Sequence, residues 1–246
     1  YVVINSTNEF IVKKKTILFR MEPNMENNKK WGEWSDPKND DFLLVLRHNE
    51  GHYNNIEWHL SKTWQELNIQ PILKDQKLDN VLSTILSEKY CDSGHIKRVD
   101  FVKFLESKNF PVHVFGSNKW NYVDYKGELP KYNKDNGILP YKYIFNVENN
   151  EINNYFTEKL IDGILGESLV FYSGCYNVRN YIDEKAYVYL HLSNFEQDYE
   201  TIKKAINEDW HSKRLPYIRE MKKKILNKLQ FFPRLKRIID CDLRRG

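Results

Sequence analysis

The sequence lacks the features of several common protein classes. It has no uninterrupted apolar run of the about 18 residues that a membrane-spanning helix requires. Its three cysteines, Cys91, Cys175 and Cys241, are widely spaced and odd in number, so they support neither a disulfide framework nor a zinc site. The GxGxxG and GxxxxGK[ST] patterns are also missing. These absences argue against a membrane-spanning domain, a disulfide-rich module and a glycine-rich nucleotide site.

The composition is that of a folded protein with an uneven charge distribution. Aromatic residues make up 14% of the 246 residues and charged residues 29%, which favours one large core or two smaller ones. From His211 onward there are twelve Lys or Arg and three acids, so this tail carries a charge of +9 and the rest of the chain −5, which gives the net +4. Ile218, Met221, Ile225 and Leu229 fall at helical spacing there, which predicts an amphipathic helix with a solvated basic face. Nucleic-acid binding through this tail is the less favoured alternative.

The first part of the chain contains short apolar segments between polar loops. The predicted elements are strands at Val2–Asn5, Thr16–Met21 and Phe42–Leu46, a further strand at Glu57–Leu60, a helical turn at Ser61–Leu67 capped by Ser61, a surface loop at Met25–Asp41 and a linker at Ile69–Asp79. Pro23 cannot continue a strand ladder, so Glu22 is expected at a strand end, facing a loop.

From Asn80 the pattern changes to a strand–helix alternation. Strands are predicted at Val81–Leu86, Val112–Phe115, Ser168–Tyr172 and Tyr187–Leu192, and a further buried strand contains Tyr143, Ile144, Phe145 and Val147. Helices are predicted at His95–Lys108, Thr157–Leu165 and Phe195–Ile206, with Thr157 as the cap of the second, and a loop is predicted at Ser117–Leu139. This alternation predicts an α/β fold with a Rossmann-like parallel sheet covered by helices on both faces.

Parallel sheets bind ligands outside the carboxyl ends of their strands, and four loops occupy those positions. They are Ser87–Gly94, Gly116–Asn118, Glu148–Asn154 and Ser173–Asn177. Arg98 and Lys159 lie on helices next to these loops and could neutralise a diphosphate, while Glu158 and Asn149 could contact a ribose or a base edge. Spacing alone favours the alternative that these are solvated helix charges.

The segment YKYIFNVENNEINNYFTEKL, Tyr141–Leu160, resembles the signature of glycosyltransferase family 10, the α-1,3/α-1,4-fucosyltransferases. Tyr141-Lys142-Tyr143 matches its start, Val147–Asn150 its F-E-N-S element, and Tyr155–Leu160 its T-E-K block. Further similarities are Ser83–Ser87 followed by Arg98, Leu169–Gly174, Asn180-Tyr181-Ile182 and, far upstream, Arg20-Met21-Glu22-Pro23.

The resemblance implies a GT-B fold, in which two Rossmann-like domains face each other across a cleft. It implies inverting transfer of fucose from GDP-fucose to a glycan hydroxyl, with GDP as product and no metal or other cofactor required. It implies Glu22 as catalytic base, with His52, Glu57 and His59 as competitors. The implied donor-binding residues are Arg98, Asn149, Tyr155, Glu158 and Lys159, and further candidates at the site are His95, Gly116 and Gly174.

The expected organisation is an acceptor-side domain at 1–78, part of which precedes Tyr1, a donor domain at 79–212, and a basic amphipathic helix and tail at 213–246. The expected partners are a nucleotide-sugar donor and a glycan acceptor, with no nucleic acid, and a membrane only through an anchor outside this chain. The resemblance places a eukaryotic member in the Golgi lumen and a bacterial or viral one in the cytoplasm. The alternatives are another sugar nucleotide, or a catalytically idle glycan- or nucleotide-binding module.

Overall fold

The computed structural model describes residues 1–22, 31–32, 34–53, 56–73 and 75–242, with side chains described as far as Asp240. The strands are β1 (Val2–Ile4), β2 (Ile17–Phe19), β3 (Leu44–Leu46), β4 (Leu78–Leu86), β5 (Val112–Gly116), β6 (Tyr125–Gly127), β7 (Tyr141–Val147), β8 (Leu169–Ser173) and β9 (Tyr187–Tyr189). The helices are α1 (Trp64–Leu67), α2 (Ser93–Ser107), α3 (Asp135–Ile138), α4 (Glu158–Leu165), α5 (Phe195–Asn207), α6 (Trp210–Lys224) and α7 (Phe231–Arg237), with π-helical turns at Ile225–Leu229 and Ile238–Asp242.

The first sheet is small and parallel, with strand order β1-β2-β3. Every residue of β2 is buried, as expected for a central strand covered on both faces. On one face Ile17 and Phe19 pack against Phe231, Leu235 and Ile238, which come from the C-terminal helical region. The end of the chain therefore returns to the first sheet and completes its core.

The second sheet has six parallel strands in the order β6-β5-β4-β7-β8-β9. The chain winds outward in one direction from β4 and in the other from β7, which is the strand order of a doubly wound Rossmann sheet. In β7 every residue except Lys142 is buried, because helices cover both faces of the sheet. The switch point of the winding lies between β4 and β7.

Helix α4 begins where the sequence pattern predicts, and its cap explains why. The Thr157 side chain accepts a hydrogen bond from the Lys159 amide, and the helix buries Leu160, Ile161 and Ile164 against the sheet. In the C-terminal helices Ile218, Met221, Ile225 and Leu229 are all buried, which confirms the apolar face predicted for the basic segment. Among the described residues, no helix is long and apolar enough to cross a bilayer.

Three predictions for irregular segments are wrong. No strand forms at Glu57–Leu60, because the His59 amide donates to the Asp162 carboxylate instead of to a neighbouring strand. Thr63, not Ser61, caps α1, through a reciprocal capping box with Glu66. The loop predicted at Ser117–Leu139 contains both β6 and α3.

The predicted loop at Met25–Asp41 lies partly outside the described residues, which omit 25–30 and 33. Its described remainder consists of short turns and bends. Pro23, the proline expected to end the second strand, also lies outside the described residues.

Candidate active site

The loops after β4 and β7 meet at the switch point, where doubly wound sheets bind their ligands. A cavity of about 280 Å³ opens there. It is lined by Ile85, Leu86, Ser87, Lys89, His95, Arg98, Lys134, Ile138, Asn146, Asn149, Glu158, Lys159 and Asp162. Five of the sequence-predicted residues, Arg98, Asn149, Glu158, Lys159 and His95, are therefore brought together around one cavity.

Arg98 is almost fully buried against this cavity, although it carries a charge. Its two terminal nitrogens donate to the Val147 carbonyl at 3.2 Å, the Asn149 Oδ1 at 3.1 Å and the Ser87 Oγ at 3.1 Å. Its Nε has no hydrogen-bond partner among the described residues. Burial lowers the pKa of Arg98, and the nearby Glu148 opposes that shift. A buried guanidinium with an unpaired donor is equipped to bind an anion.

Lys159 reaches the same cavity from the first turn of α4. Its Nζ lies 3.2 Å from the Thr157 Oγ1, 3.3 Å from the Glu158 Oε1 and 3.7 Å from the Glu148 Oε2. Burial alone would lower the pKa of Lys159, but the carboxylates of Glu148 and Glu158 outweigh burial and raise it. Lys159 therefore carries a full positive charge at neutral pH, close to the positive end of the helix dipole.

Glu148 is fully buried behind Lys159 and serves as its structural support. Its two oxygens accept hydrogen bonds from the Thr157 amide at 2.7 Å and the Thr157 hydroxyl at 2.8 Å. Burial raises the pKa of Glu148, and Lys159 opposes that shift. Because Glu148 binds both polar groups of the cap residue, it fixes the beginning of α4.

Glu158 faces a second lysine that the sequence pattern did not identify. The Lys134 Nζ lies 3.2 Å from the Glu158 Oε1 and 3.5 Å from the Asp162 Oδ2. Burial alone would raise the pKa of Glu158, but Lys159 and Lys134 outweigh it and hold this pKa far below its usual range. Glu158 is therefore ionised at neutral pH and can accept hydrogen bonds from a ligand.

Of the remaining donor-side candidates, His95 lines the cavity and Tyr155 does not. His95 is buried at the cavity wall, and burial together with the neighbouring Arg98 lowers its pKa to about 4, so its ring is neutral at pH 7. Tyr155 is buried and packs edge-on against His48, with ring centroids 5.2 Å apart, and it does not line the cavity.

The two candidate glycines, Gly116 and Gly174, are not among the residues that line the cavity. A Cβ on Gly116 would meet the Leu86 carbonyl at 2.2 Å, so this glycine allows the ends of β4 and β5 to approach each other. A Cβ on Gly174 would meet the Glu148 side chain at 2.5 Å, so Gly174 leaves the space that Glu148 fills.

Glu22 lies three residues beyond the end of β2 and lines a second, larger cavity of about 640 Å³. The wall of this cavity is built mainly by residues between 20 and 50, and Ile152 from the loop after β7 completes it. The Glu22 side chain is exposed at the molecular surface, yet the protein around it displaces enough water to raise its pKa. Lys159 opposes this shift and Glu158 adds to it, so Glu22 lies within electrostatic reach of the donor-side residues.

The competing base candidates lie outside the lining of both cavities. The Glu57 carboxylate is 3.6 Å from the His59 Nε2 and adds to the upward shift of the Glu22 pKa. His59 packs edge-on against Tyr132 at a centroid distance of 4.9 Å, and its amide is bound to Asp162. Glu57 and His59 are not among the residues lining either cavity. His52 is half-buried and lines neither cavity.

Several residues of this region were not identified as site residues from the sequence, among them His48, Lys134, Glu148 and Asp162. Glu148 lies within the Val147–Asn150 element that resembles the family signature, so the sequence could have identified it as a site residue. The other three carry no local pattern, because their surroundings come from chain segments far away in the sequence.

Within the part of the chain that the structure describes, two groups of side chains have the chemistry of metal ligands. Cys91, Asp92 and His95 bring a thiol, a carboxylate and an imidazole within 4.8 Å of one another, and Glu57, His59 and Glu158 do the same with two carboxylates and an imidazole. His95 also takes part in the capping box of α2 with Asp92. Either group could hold a cation next to the cavity at the switch point.

Comparisons with known proteins agree with this architecture. An α1,3-fucosyltransferase solved with GDP superposes with a TM-score of 0.55 at 18% identity, covering 89% of this chain and 76% of that one. An α1,3-fucosyltransferase structure with GDP-fucose gives a TM-score of 0.51 at 18% identity, covering 94% and 76%. A glycosyltransferase from Rickettsia africae gives 0.50 at 13% identity, covering 93% and 64%. At these identities the likeness shows the fold, which is that of the GT-B glycosyltransferases.

No curated protein sequence matches this chain. The family model described as "Glycosyltransferase family 10 (fucosyltransferase) C-term" matches residues 74–209, which is more than half of the chain and contains the cavity at the switch point. The chain is a glycosyltransferase and belongs to glycosyltransferase family 10, the fucosyltransferase family.

Proposed function

We propose that this protein transfers L-fucose from GDP-fucose to a hydroxyl group of a glycan, with inversion at the anomeric carbon. The observation that carries the proposal is the pair of cations at the switch point. Arg98 is buried with an unpaired Nε, and Lys159 projects from a helix N-terminus into the same cavity. Two fixed positive charges at a helix end are suited to a diphosphate. The GDP and GDP-fucose in the two fucosyltransferase structures support the choice of nucleotide.

In the proposed donor complex, each residue at the switch point has a separate task. Arg98 and Lys159 bind the diphosphate, and the dipole of α4 adds to their field. Asn149, whose Oδ1 accepts from Arg98, and Glu158 contact the ribose, the phosphate or the base. The neutral His95 lines the diphosphate side. Tyr155 lies outside the cavity lining and supports the site by packing against His48.

The proposed reaction needs a base on the acceptor side and a stabilised leaving group on the donor side. The acceptor oxygen attacks the anomeric carbon of fucose while its proton passes to the Glu22 carboxylate. The bond between that carbon and the diphosphate oxygen breaks, and the electron pair leaves with GDP. Arg98 and Lys159 stabilise the charge that develops on the diphosphate, so no metal ion is required in this proposal. The raised pKa of Glu22 makes it a better proton acceptor than an ordinary surface carboxylate.

We further propose that residues 1–78 form the acceptor side and 79–212 the donor side of a GT-B cleft. The cavity next to Glu22 has room for a saccharide, and the loop after β7 contributes Ile152 to its wall.

A donor panel tests the choice of nucleotide sugar. GDP and GDP-fucose are expected to raise the melting temperature, because a ligand that binds only the folded state stabilises it. UDP and UDP-sugars serve as the control and are expected to leave it unchanged. A shift with UDP alone would assign a different donor, and GDP-fucose binding without product on any glycan acceptor would favour an idle binding module. Repeating the turnover assay in EDTA tests the absence of a metal requirement.

A further inference from the structure

His48 is a buried histidine between the segment that carries Glu22 and the loop after β7. It follows β3 and begins a single 3-10 turn, His48–Glu50, and its side chain is 4% exposed. The Nε2 lies 2.8 Å from the Met21 carbonyl oxygen, and the Nδ1 lies 3.0 Å from the Asn154 carbonyl oxygen. Its ring therefore spans two chain segments that are far apart in the sequence.

The contact to Met21 acts on the peptide bond that leads directly into Glu22. The carbonyl of this peptide belongs to Met21 and faces His48, while its N–H belongs to Glu22 and donates to the Asn5 Oδ1 at 3.2 Å. The same Asn5 oxygen also accepts from the Met21 amide at 2.9 Å. Both polar atoms of the Met21–Glu22 peptide unit are thus held by side chains, which restricts the direction in which Glu22 leaves the backbone.

His48 and Asn154 contact each other through two pairs of atoms, and Asn154 forms further hydrogen bonds to residues on the donor side. The Asn154 Nδ2 donates to the His48 carbonyl at 2.6 Å. The Asn154 amide donates to the Asn177 Oδ1 at 2.8 Å, and its own Oδ1 accepts from Asn177 at 2.8 Å and from Tyr181 at 2.5 Å. Asn154 also adopts a left-handed conformation with φ of 63°, and it precedes Tyr155. Asn154, the donor-side partner of His48, is therefore held in place by its hydrogen bonds to Asn177 and Tyr181.

We propose that His48 is a positioning residue that fixes the base Glu22 relative to the donor site. This inference rests on the proposed function, because it assigns a purpose to the position of Glu22. A neutral imidazole has one N–H, so it donates to one of the two carbonyls, and Asn154 supplies the second link by donating to His48. Misplacing a reacting group by about 1 Å can cost about 100-fold in rate, so a residue without contact to substrate can control turnover.

Three substitutions of His48 distinguish its contact with Met21 from its contact with Asn154. His48→Phe keeps an aromatic ring in place and removes both ring nitrogens, and we expect kcat to fall about 10- to 100-fold while the Kd for GDP stays unchanged. His48→Gln places an amide where the Nε2 stood and is expected to restore most of kcat by donating to Met21. His48→Asn places its amide near the Nδ1 position, towards Asn154, and is expected to restore less. The KM for the acceptor is measured alongside, since loss of a positioned base lowers kcat rather than acceptor affinity.

His211→Phe is the matched control for the loss of a buried histidine. The His211 Nε2 also faces a backbone carbonyl, that of Glu167 at 2.8 Å, and it lies at the packing interface of α6, outside both cavities. This variant is expected to lower the melting temperature without changing kcat. An unchanged kcat in a folded His48→Phe variant would overturn the inference, and so would full restoration by His48→Asn with none by His48→Gln.

The experiment distinguishes the failure of this inference from the failure of the proposed function. If wild-type protein has no turnover with GDP-fucose, or if Glu22→Gln has normal turnover, the proposed function is wrong in its donor or its base. If Glu22→Gln lowers kcat and His48→Phe does not, the inference about His48 alone is wrong.

Discussion

Glu22 and Lys159 interact electrostatically, although most of the second sheet's sequence lies between them. Lys159 lowers the pKa of Glu22, against an upward shift caused mainly by loss of water around the carboxylate. The segment after β2 also approaches the loop that leads into α4, because His48 contacts the Met21 carbonyl at 2.8 Å and the Asn154 carbonyl at 3.0 Å. A carboxylate on one side and a cation on the other is the arrangement that the proposed inverting transfer requires.

Replacing Arg98 with Lys tests the binding of the diphosphate. The guanidinium serves three oxygen atoms of the protein and retains an unpaired Nε, and an ammonium cannot reproduce that geometry. The Kd for GDP is expected to rise about 10- to 100-fold, as for the loss of one or two hydrogen bonds to a charged group. Isothermal titration calorimetry measures the change.

Arg214→Lys is the control for this substitution, because Arg214 is also partly buried and donates to a backbone carbonyl, that of Tyr187 at 3.0 Å. Its GDP affinity is expected to equal that of the wild type. Equal GDP affinities for the Arg98 and Arg214 variants would show that Arg98 does not contact the nucleotide.

The carboxyl group of Asp162 is expected to titrate near pH 6 in the folded protein. Burial raises the pKa of this carboxyl from 3.8 to about 6, and Lys134 and the His59 amide only partly offset it. Because the pKa of Asp162 is higher in the folded state, ionisation of this carboxyl lowers the free energy of unfolding. This loss of stability is fully present above pH 6 and disappears as the pH falls towards 3.8, the pKa of the carboxyl in the unfolded chain. A difference of about two pKa units corresponds to about 3 kcal/mol.

Asp162→Asn is therefore expected to remove the inflection near pH 6 from a plot of unfolding free energy against pH, measured by urea denaturation. Glu158→Gln is the contrasting variant. The depressed pKa of Glu158 stabilises the fold above the unfolded pKa, so this variant is expected to lose stability at pH 7. An unchanged inflection in Asp162→Asn would assign the titration to another group.

The sequence pattern predicted the strand and the helix that carry the donor-side residues, but it did not predict which side chains from other segments contact those residues. Strand β7 and the Thr157 cap of α4 were predicted correctly, because a run of β-branched and aromatic residues ahead of a capping threonine is a local signal. The predicted placement of Arg98, Lys159 and Glu158 near one another was also correct, because parallel strands end at one edge. Whether these three perform the roles assigned to them stays a prediction.

The rest of the site depends on contacts between distant segments. Lys134 was assigned to a loop, and only the folded chain shows its ion pairs with Glu158 and Asp162. His48 carries no pattern around it. The predicted strand at Glu57–Leu60 failed for the same reason, since the His59 amide is satisfied by the Asp162 side chain from α4. Local pattern cannot supply a partner that lies a hundred residues away.

Gly94→Ala tests the close contact between two loops at the switch point, the loop after β4, at whose end α2 begins, and the loop after β7. The Gly94 amide donates to the Asn149 carbonyl at 3.1 Å, and a Cβ at this position would lie 1.8 Å from the Glu148 carbonyl oxygen. The backbone of one loop must move away, which is expected to cost about 1–3 kcal/mol of stability. The displaced loops also carry Asn149, so GDP affinity is expected to fall as well.

Ser93→Ala, at the exposed preceding position, is the control for Gly94→Ala and is expected to change neither quantity. Chemical denaturation and calorimetry measure both variants. A Gly94→Ala protein with wild-type stability and GDP affinity would show that the two loops do not approach as closely as described.

The most direct test of the account is the effect of Glu22→Gln on turnover and on donor binding in the same preparation. A general base contributes about 10²- to 10⁴-fold, so kcat with GDP-fucose is expected to fall by that factor while the Kd for GDP stays at its wild-type value. Glu57→Gln, which removes the neighbouring carboxylate outside both cavities, is expected to retain turnover. Normal turnover in Glu22→Gln, or a larger loss in Glu57→Gln, would contradict the account.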